Sequence, residues 1–309
     1  MTRKNKIKII TIICVVIFGA FLVAGCSTYE NFFMGTPVMN KDERMARKII
    51  LAMQDDKEER AKELLQNNNS DLNVESFIFF DHRSIADYIT PLQAACCFGD
   101  YEIVQMMVER GADVNLVLDW NSESPLMYAV MSDSLKYVEI IEFLLAKGAD
   151  ANYNNSVDQD ALYNVIFTWD NPTNVFKIID LLEQAGVDIY KEYEDKEYED
   201  YGNILHMICW LEGADNSKSQ DRLEIIKFLV EEKGFDVNVQ KRDTGATPLI
   251  VLSLDADCEP IVEYLLAQGA DKGLKDHAGK TKYDYLVEGL EDGSVKYENP
   301  ERLLEMLKP

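Results

Sequence analysis

Histidine is scarce in this 309-residue chain, occurring only at His82, His206 and His277, far apart in the sequence. No histidine or cysteine cluster has the spacing of a zinc site, and adjacent Cys96 and Cys97 are not a CxxC pair. No GxSxG nucleophile motif is present. The stretch "GLKDHAGKT" (273–281) ends like a phosphate loop. However, five residues rather than four separate Gly273 from Gly279, and no apolar strand precedes them. Carboxylates are so abundant that chance pairs carry no information about catalysis. No cofactor or metal is therefore expected, and an enzyme is the less favoured reading. Positive charge is also short: 31 Lys and Arg stand against 55 Asp and Glu, a net charge of −24. Such a surface repels a polyanion, so nucleic acid is not expected as a partner, nor is the folded body drawn to an anionic membrane.

The N-terminus obeys a different rule. "MTRKNKIK" carries Arg3, Lys4, Lys6 and Lys8 and no acid, and 17 apolar or small residues follow, "IITIICVVIFGAFLVAG". A signal peptide and a short membrane span both have this form. The next residues favour the first: Ala24 and Gly25 stand directly before Cys26, and polar "STYENFF" follows without a basic stop. "LVAGC" resembles the lipobox of bacterial lipoproteins. The resemblance implies residues 1–25 as a signal peptide, acylation of Cys26 (the step a palmitate label reports), and residues 26–40 as a tether. Ser27, where an aspartate would favour inner-membrane retention, points to the periplasmic face of an outer membrane or the cell surface. Cys96, Cys97, Cys209 and Cys258 lie in apolar helical contexts and are expected as free, mostly buried thiols.

The rest of the chain repeats itself. Helix starts recur as "TPLQAACCFGD" at Thr90, "SPLMYAVMSDS" at Ser124 and "TPLIVLSLDAD" at Thr247. Weaker copies begin at Asp160, Asn203 and Thr281. Each opens with a side chain that can cap a first-turn N–H, and three place proline where a missing N–H costs nothing. Helix stops recur as "VERGADVN", "LAKGADAN", "EQAGVDIY", "EKGFDVNV" and "AQGADKGL", each with a glycine suited to a left-handed helix end. Starts fall 34, 36, 43, 44 and 34 residues apart. Between start and stop, apolar sets such as Ile103, Val104, Met107 and Val108 line one helix face.

The Thr-Pro-Leu start, Gly-Ala-Asp stop and period near 33 resemble the ankyrin repeat, most fully over "TPLQAACCFGDYEIVQMMVERGADVN" (90–115). The resemblance implies an all-α ankyrin-repeat solenoid over 41–309, of stacked helix-turn-helix units joined by β-hairpin-like loops. Degenerate units are expected at both ends: one at 46–73, where Asn68 replaces the glycine by tolerating positive φ, and a C-terminal helix near 300–308. Such stacking leaves no second domain, although length alone suggests about two. Start-to-glycine intervals of 21, 24, 26, 31 and 22 put surplus residues between the two helices of units two to four, with a long polar loop at "EGADNSKSQDR" (212–222). "KEYEDKEYED" (191–200) is one five-residue word written twice. It enlarges a hairpin as either a binding finger or a tolerated insertion. His206 stands where ankyrin repeats use histidine to hydrogen-bond between turns.

By the same resemblance, hairpin tips and the inner face of the first helices form a concave binding groove. The position seven after each start reads Cys97, Met131, Phe167, Trp210 and Leu254, an apolar row. The position four before the starts reads Trp120, Ser156, Glu199, Asp243 and His277. These side chains either line the groove or turn inward between repeats. The leading reading is a lipid-anchored, monomeric scaffold that docks a protein partner, expected to be basic, on this face. The alternative is an immunity or inhibitor protein that neutralises a secreted toxin.

Overall fold

The computed structural model describes residues 39–80, 85–118, 122–132, 134–168, 171–193, 202–211, 217–253, 258–295 and 300–309. The first helix hairpin is α1 (Lys41–Gln54) and α2 (Glu58–Gln66). An antiparallel ribbon of β1 (Ser76–Phe80) and β2 (Ile85–Ile89) follows, in register Ser76↔Ile89 to Phe80↔Ile85. Five units come next, each an inner and an outer helix: α3 (Pro91–Phe98) with α4 (Tyr101–Glu109), α5 (Pro125–Val130) with α6 (Tyr137–Ala146), α7 (Ala161–Thr168) with α8 (Pro172–Gln184), α9 (Ile204–Trp210) with α10 (Ser217–Lys227), and α11 (Pro248–Val251) with α12 (Glu259–Ala267). Helices α13 (Lys282–Asp292) and α14 (Pro300–Leu307) close the array.

All six expected starts act as caps. Thr90, Ser124, Asp160, Asn203, Thr247 and Thr281 each accept a first-turn N–H through the side-chain oxygen. The five stop glycines, Gly111, Gly148, Gly186, Gly234 and Gly269, all have φ between +72° and +92°, a region costly for any residue with a Cβ. Asn68 departs from expectation. It is not among the positive-φ residues; it ends α2 through its side chain, with Nδ2 donating to the Leu64 carbonyl and Oδ1 accepting Ser70 N–H at 2.7 Å.

Stacking follows from amphipathicity. Each inner helix packs on the next, from α1 through α3, α5, α7, α9 and α11 to α13, and the outer helices do the same from α2 to α10. Ile103, Val104 and Met107 are fully buried, as are Ile140, Ile141, Leu144, Ile261, Val262 and Leu265. One contiguous apolar core runs from Ile49 to Leu307. Removing one such side chain to alanine costs about 2–5 kcal/mol.

The surplus residues do not all go where interval counting put them. Helix α8 has 13 residues against 9 in α4, so unit three lengthens its outer helix. In unit four, Ser217–Arg222 belong to α10 rather than to a loop, and the helix continues through a π-helical turn at Phe228–Glu232. A π turn absorbs an extra residue without breaking the helix. Only 212–216 of that stretch falls outside the described residues.

Repeats are also tied by polar clamps. Asn73 Nδ2 donates to Gly111 O (3.1 Å) while its Oδ1 accepts Asp113 N–H (2.8 Å). Asn115 makes the same pair of bonds to Gly148 and Asp150, and Asn238 to Gly269 and Asp271. Between units three and four Tyr190 takes this place, its hydroxyl donating to Lys233 O at 2.5 Å.

Candidate protein-binding face

Row position seven sits at the end of successive inner helices. Cys97 is the last residue but one of α3, Met131 follows α5, Phe167 lies in α7 and Trp210 ends α9; each of these helices packs on the next, so the four residues form a line across the array. Cys97, Met131 and Phe167 are half-buried against the core, and Trp210 is 40 % exposed. The row is therefore neither wholly exposed nor turned inward. Phe167 leans on Tyr163 (ring centroids 4.7 Å), which in turn meets Tyr193 at 5.5 Å. Leu254 lies outside the described residues, as do tip positions Trp120 and Glu199 and the lipidation candidate Cys26.

Two tips are brought together. Asp243 and His277 are both exposed on adjoining hairpins: His277 N–H donates to Thr244 O (2.7 Å) and its Nδ1 faces Asp243 O (2.8 Å). Gly245, at φ +71°, lets His277 approach, since a Cβ there would stand 2.6 Å from the imidazole Cδ2. On the hairpins before units two and three, Ser122 and the tip residue Ser156 share a 2.9 Å hydrogen bond.

The base of the doubled-word finger is structural. Asp160, fully buried, caps α7 and receives the Tyr193 hydroxyl at 2.8 Å and the Lys191 ammonium. Burial and the Asp160 charge raise the Tyr193 pKa, so this phenol stays protonated. The first word thus anchors the finger; 194–200 lie outside the described residues.

His206 is 1 % exposed, with Nδ1 2.8 Å from Asn203 Oδ1 and Nε2 3.2 Å from both Val239 O and Ala246 O. It joins the start of unit four to the hairpin before unit five. Burial lowers its pKa to about 4, although the Val239 and Ala246 carbonyls favour the charged form. It is a structural bridge, as the resemblance implied.

Two buried cations cap the ends of inner helices α9 and α11. Helix α9 ends in extended backbone at Leu211, whose carbonyl accepts the Arg222 guanidinium; Arg222 is 1 % exposed. Helix α11 ends likewise at Leu252, and the Lys282 ammonium donates to Ile250 O (3.0 Å) and to Leu252 O. Lys282 holds the position that proline fills at the strong starts. Burial depresses its pKa to about 8. The four described cysteines are thiols outside any disulfide, three buried and Cys97 half-buried, and burial raises the Cys96 thiol pKa and pushes Cys209 up to about 12. Among the described residues no group of histidines, cysteines and carboxylates could hold a metal ion, and no helix is long and apolar enough to cross a membrane.

Sequence reasoning missed the asparagine clamps, whose signal is an Asn four residues after Gly111 and Gly234. It also missed the β1–β2 ribbon and the Lys191–Tyr193–Asp160 anchor.

Comparisons with known proteins agree with this architecture. The family model of ankyrin repeats, in three copies, matches residues 49–155. The ankyrin repeat domain of human ASB11, a crystal structure, superposes with a TM-score of 0.54 at 21 % identity, covering 76 % of this chain and 90 % of that one. The fold is that of an ankyrin-repeat solenoid. Ankyrin repeat protein L271 of Acanthamoeba polyphaga mimivirus is 23 % identical over 58 % of this chain, and alpha-latrocrustotoxin-Lt1a of Latrodectus tredecimguttatus 25 % identical over 69 %. The chain spans 24 % and 15 % of their respective lengths. Ankyrin repeats as a class mediate protein–protein interaction, and their bearers are typically scaffolds without catalytic activity.

Proposed function

We propose that this chain is a recognition scaffold that binds a basic protein partner on the concave face of its repeats, held at a membrane by lipid on Cys26. The observation that carries the binding face is the contrast between its floor and the rest of the surface. Helices α3, α5, α7, α9 and α11 contain no Asp, Glu, Lys or Arg, and they present half-buried Cys97, Met131 and Phe167 beside exposed Trp210. A chain of net charge −24 surrounds this apolar line. An apolar centre with a charged rim is the anatomy of a protein interface, and the acidic field selects and steers a basic partner. Affinity capture from native membranes tests the reading: capture must fall with salt and with Trp210→Asp. Capture indifferent to both removes it.

The anchor rests on the "LVAGC" context alone. Radiolabelled palmitate should enter the wild type and not Cys26→Ala; equal labelling discards the anchor. The acidity also suits an immunity protein, because charge speeds encounter with a basic toxin. That reading requires cells expressing this chain to survive a toxin encoded beside it.

A further inference from the structure

Helix α1 carries a row of exposed cations along one side. Lys41, Arg44, Lys48 and Leu51 are all exposed, and their spacing of three, four and three residues places them within an arc of roughly 80°. The opposite side, Ala46, Ile49, Ile50 and Met53, is buried against the array. Helix α1 packs on α2, α3 and β1, elements that all follow it, so the stripe is left on its outward side. Lys41, Arg44 and Lys48 make no ion pair among the described residues, whereas Lys62, Lys177, Lys233 and Arg302 are each paired with acids. The helix's own acids are engaged elsewhere: Glu43 accepts Asn40 N–H at 2.9 Å and Asp42 accepts Asp71 N–H at 3.3 Å.

Helix stability does not explain these cations. Positive charge is unfavourable near a helix N-terminus, yet Lys41 and Arg44 stand in the first turns and the last turn holds no basic residue. Solubility of an exposed end does not require them either. At the other end of the array, α14 exposes Glu301 and Glu305, and its Arg302 is neutralised by Glu259 and Glu263. Of the two ends among the described residues, the α1 end carries the unpaired basic stripe and the α14 helix does not, in a chain with 24 excess negative charges.

We infer that the Lys41–Arg44–Lys48 stripe docks on anionic phospholipid headgroups, with Leu51 dipping into the interface. Charge complementarity selects the occupant, and position supports it. Residues 27–40 separate Cys26 from α1, a span of at most about 50 Å when extended, so the stripe lies within reach of any bilayer that holds the N-terminal segment. The rest of the array is repelled by that same bilayer. Basic end down and acidic body away, the solenoid stands off the membrane with its inner face open. This orientation rests on the membrane attachment proposed above, but the stripe's affinity can be tested without lipidation.

The test uses the purified full chain with a benzophenone amino acid at Leu51, mixed with vesicles of phosphatidylcholine alone or with a third phosphatidylglycerol. In the unprocessed chain the apolar run 9–25 is expected to partition into either vesicle whether or not Cys26 is acylated, and Cys26→Ala is run in parallel. Phospholipid adducts, read by mass spectrometry, should be about tenfold more abundant on the anionic vesicles. The excess should vanish in high salt and in Lys41→Glu/Arg44→Glu/Lys48→Glu. Equal yields on the two vesicles, or adducts to protein in place of lipid, overturn the inference. An excess that persists in Cys26→Ala, together with unchanged palmitate labelling, would remove the lipid anchor and leave the stripe standing.

Discussion

Asn115 and Gly148 join two successive repeats: the asparagine Nδ2 donates to the glycine carbonyl at 2.9 Å, and its Oδ1 takes the Asp150 N–H at 2.8 Å. One side chain therefore satisfies an acceptor and a donor at a helix end whose glycine turns the backbone out of the helix. Asn115→Ala removes both bonds and leaves two backbone groups to water. The expected loss is about 1–2 kcal/mol, measured as a lower urea midpoint with an unchanged slope. A midpoint equal to wild type would mean that water replaces the clamp at no cost.

His206 makes stability depend on pH. Burial holds its pKa near 4 in the folded chain, against 6.5 when exposed. Between those values the unfolded chain binds the proton and the folded chain does not, so stability rises with pH across this window. The contribution is fully present above pH 6.5 and is lost as pH falls toward 4, by roughly 3 kcal/mol. Carboxylates titrate nearby, so the comparison is with His206→Gln, whose stability should fall less between pH 6.5 and 4.5. Parallel curves would show that His206 is not held neutral.

The helix starts and stops were legible because each is set by its own residues: a cap side chain at Thr90, a glycine at Gly111. What depended on distant packing was not. Interval counting gave the number of surplus residues in units three and four but not their place. Outer helices have free ends that can grow along solvent, so α8 and α10 absorbed residues expected in loops. Lys282 reads as a weak copy of proline, and nothing local says that its ammonium reaches back to the end of α11. Asn68 was expected to mimic glycine through its backbone, and its side-chain bonds perform the task instead. In the candidate face, the row positions were legible because a repeat fixes register. Their degree of exposure depends on each neighbour, which is why Trp210 stands out further than Phe167.

That difference in exposure yields a prediction for binding. Trp210 is 40 % exposed at the end of α9, so Trp210→Asp should leave the fold nearly intact, with a stability change below about 1 kcal/mol. If the row is the centre of the interface, the same change weakens partner capture more than tenfold, because a buried aromatic anchor is replaced by a charge that must be desolvated. Asp243→Asn, at a tip, should instead reduce the salt dependence of capture with a smaller loss of affinity. A reversal of these two effects would place the contact on the hairpin tips and not on the helical floor.

Lys282 offers a test in which local propensity and buried polar satisfaction point in opposite directions. Proline is favoured at the first helical position, and Thr90, Ser124 and Thr247 are each followed by it. On local grounds Lys282→Pro should therefore stabilise α13. It also removes the donor serving Ile250 O and Leu252 O, and a buried carbonyl left unsatisfied costs about 1–3 kcal/mol. Two orphaned carbonyls outweigh one improved helix start, so the expected result is net destabilisation by roughly 2 kcal/mol or more. The pH dependence supplies a second readout. Burial depresses the Lys282 pKa to about 8 from 10.5, so between those values only the unfolded chain holds the proton, and wild-type stability rises with pH there. That rise should be missing from Lys282→Pro. A variant as stable as wild type, with the same alkaline slope, would mean that the end of α11 finds its donors elsewhere.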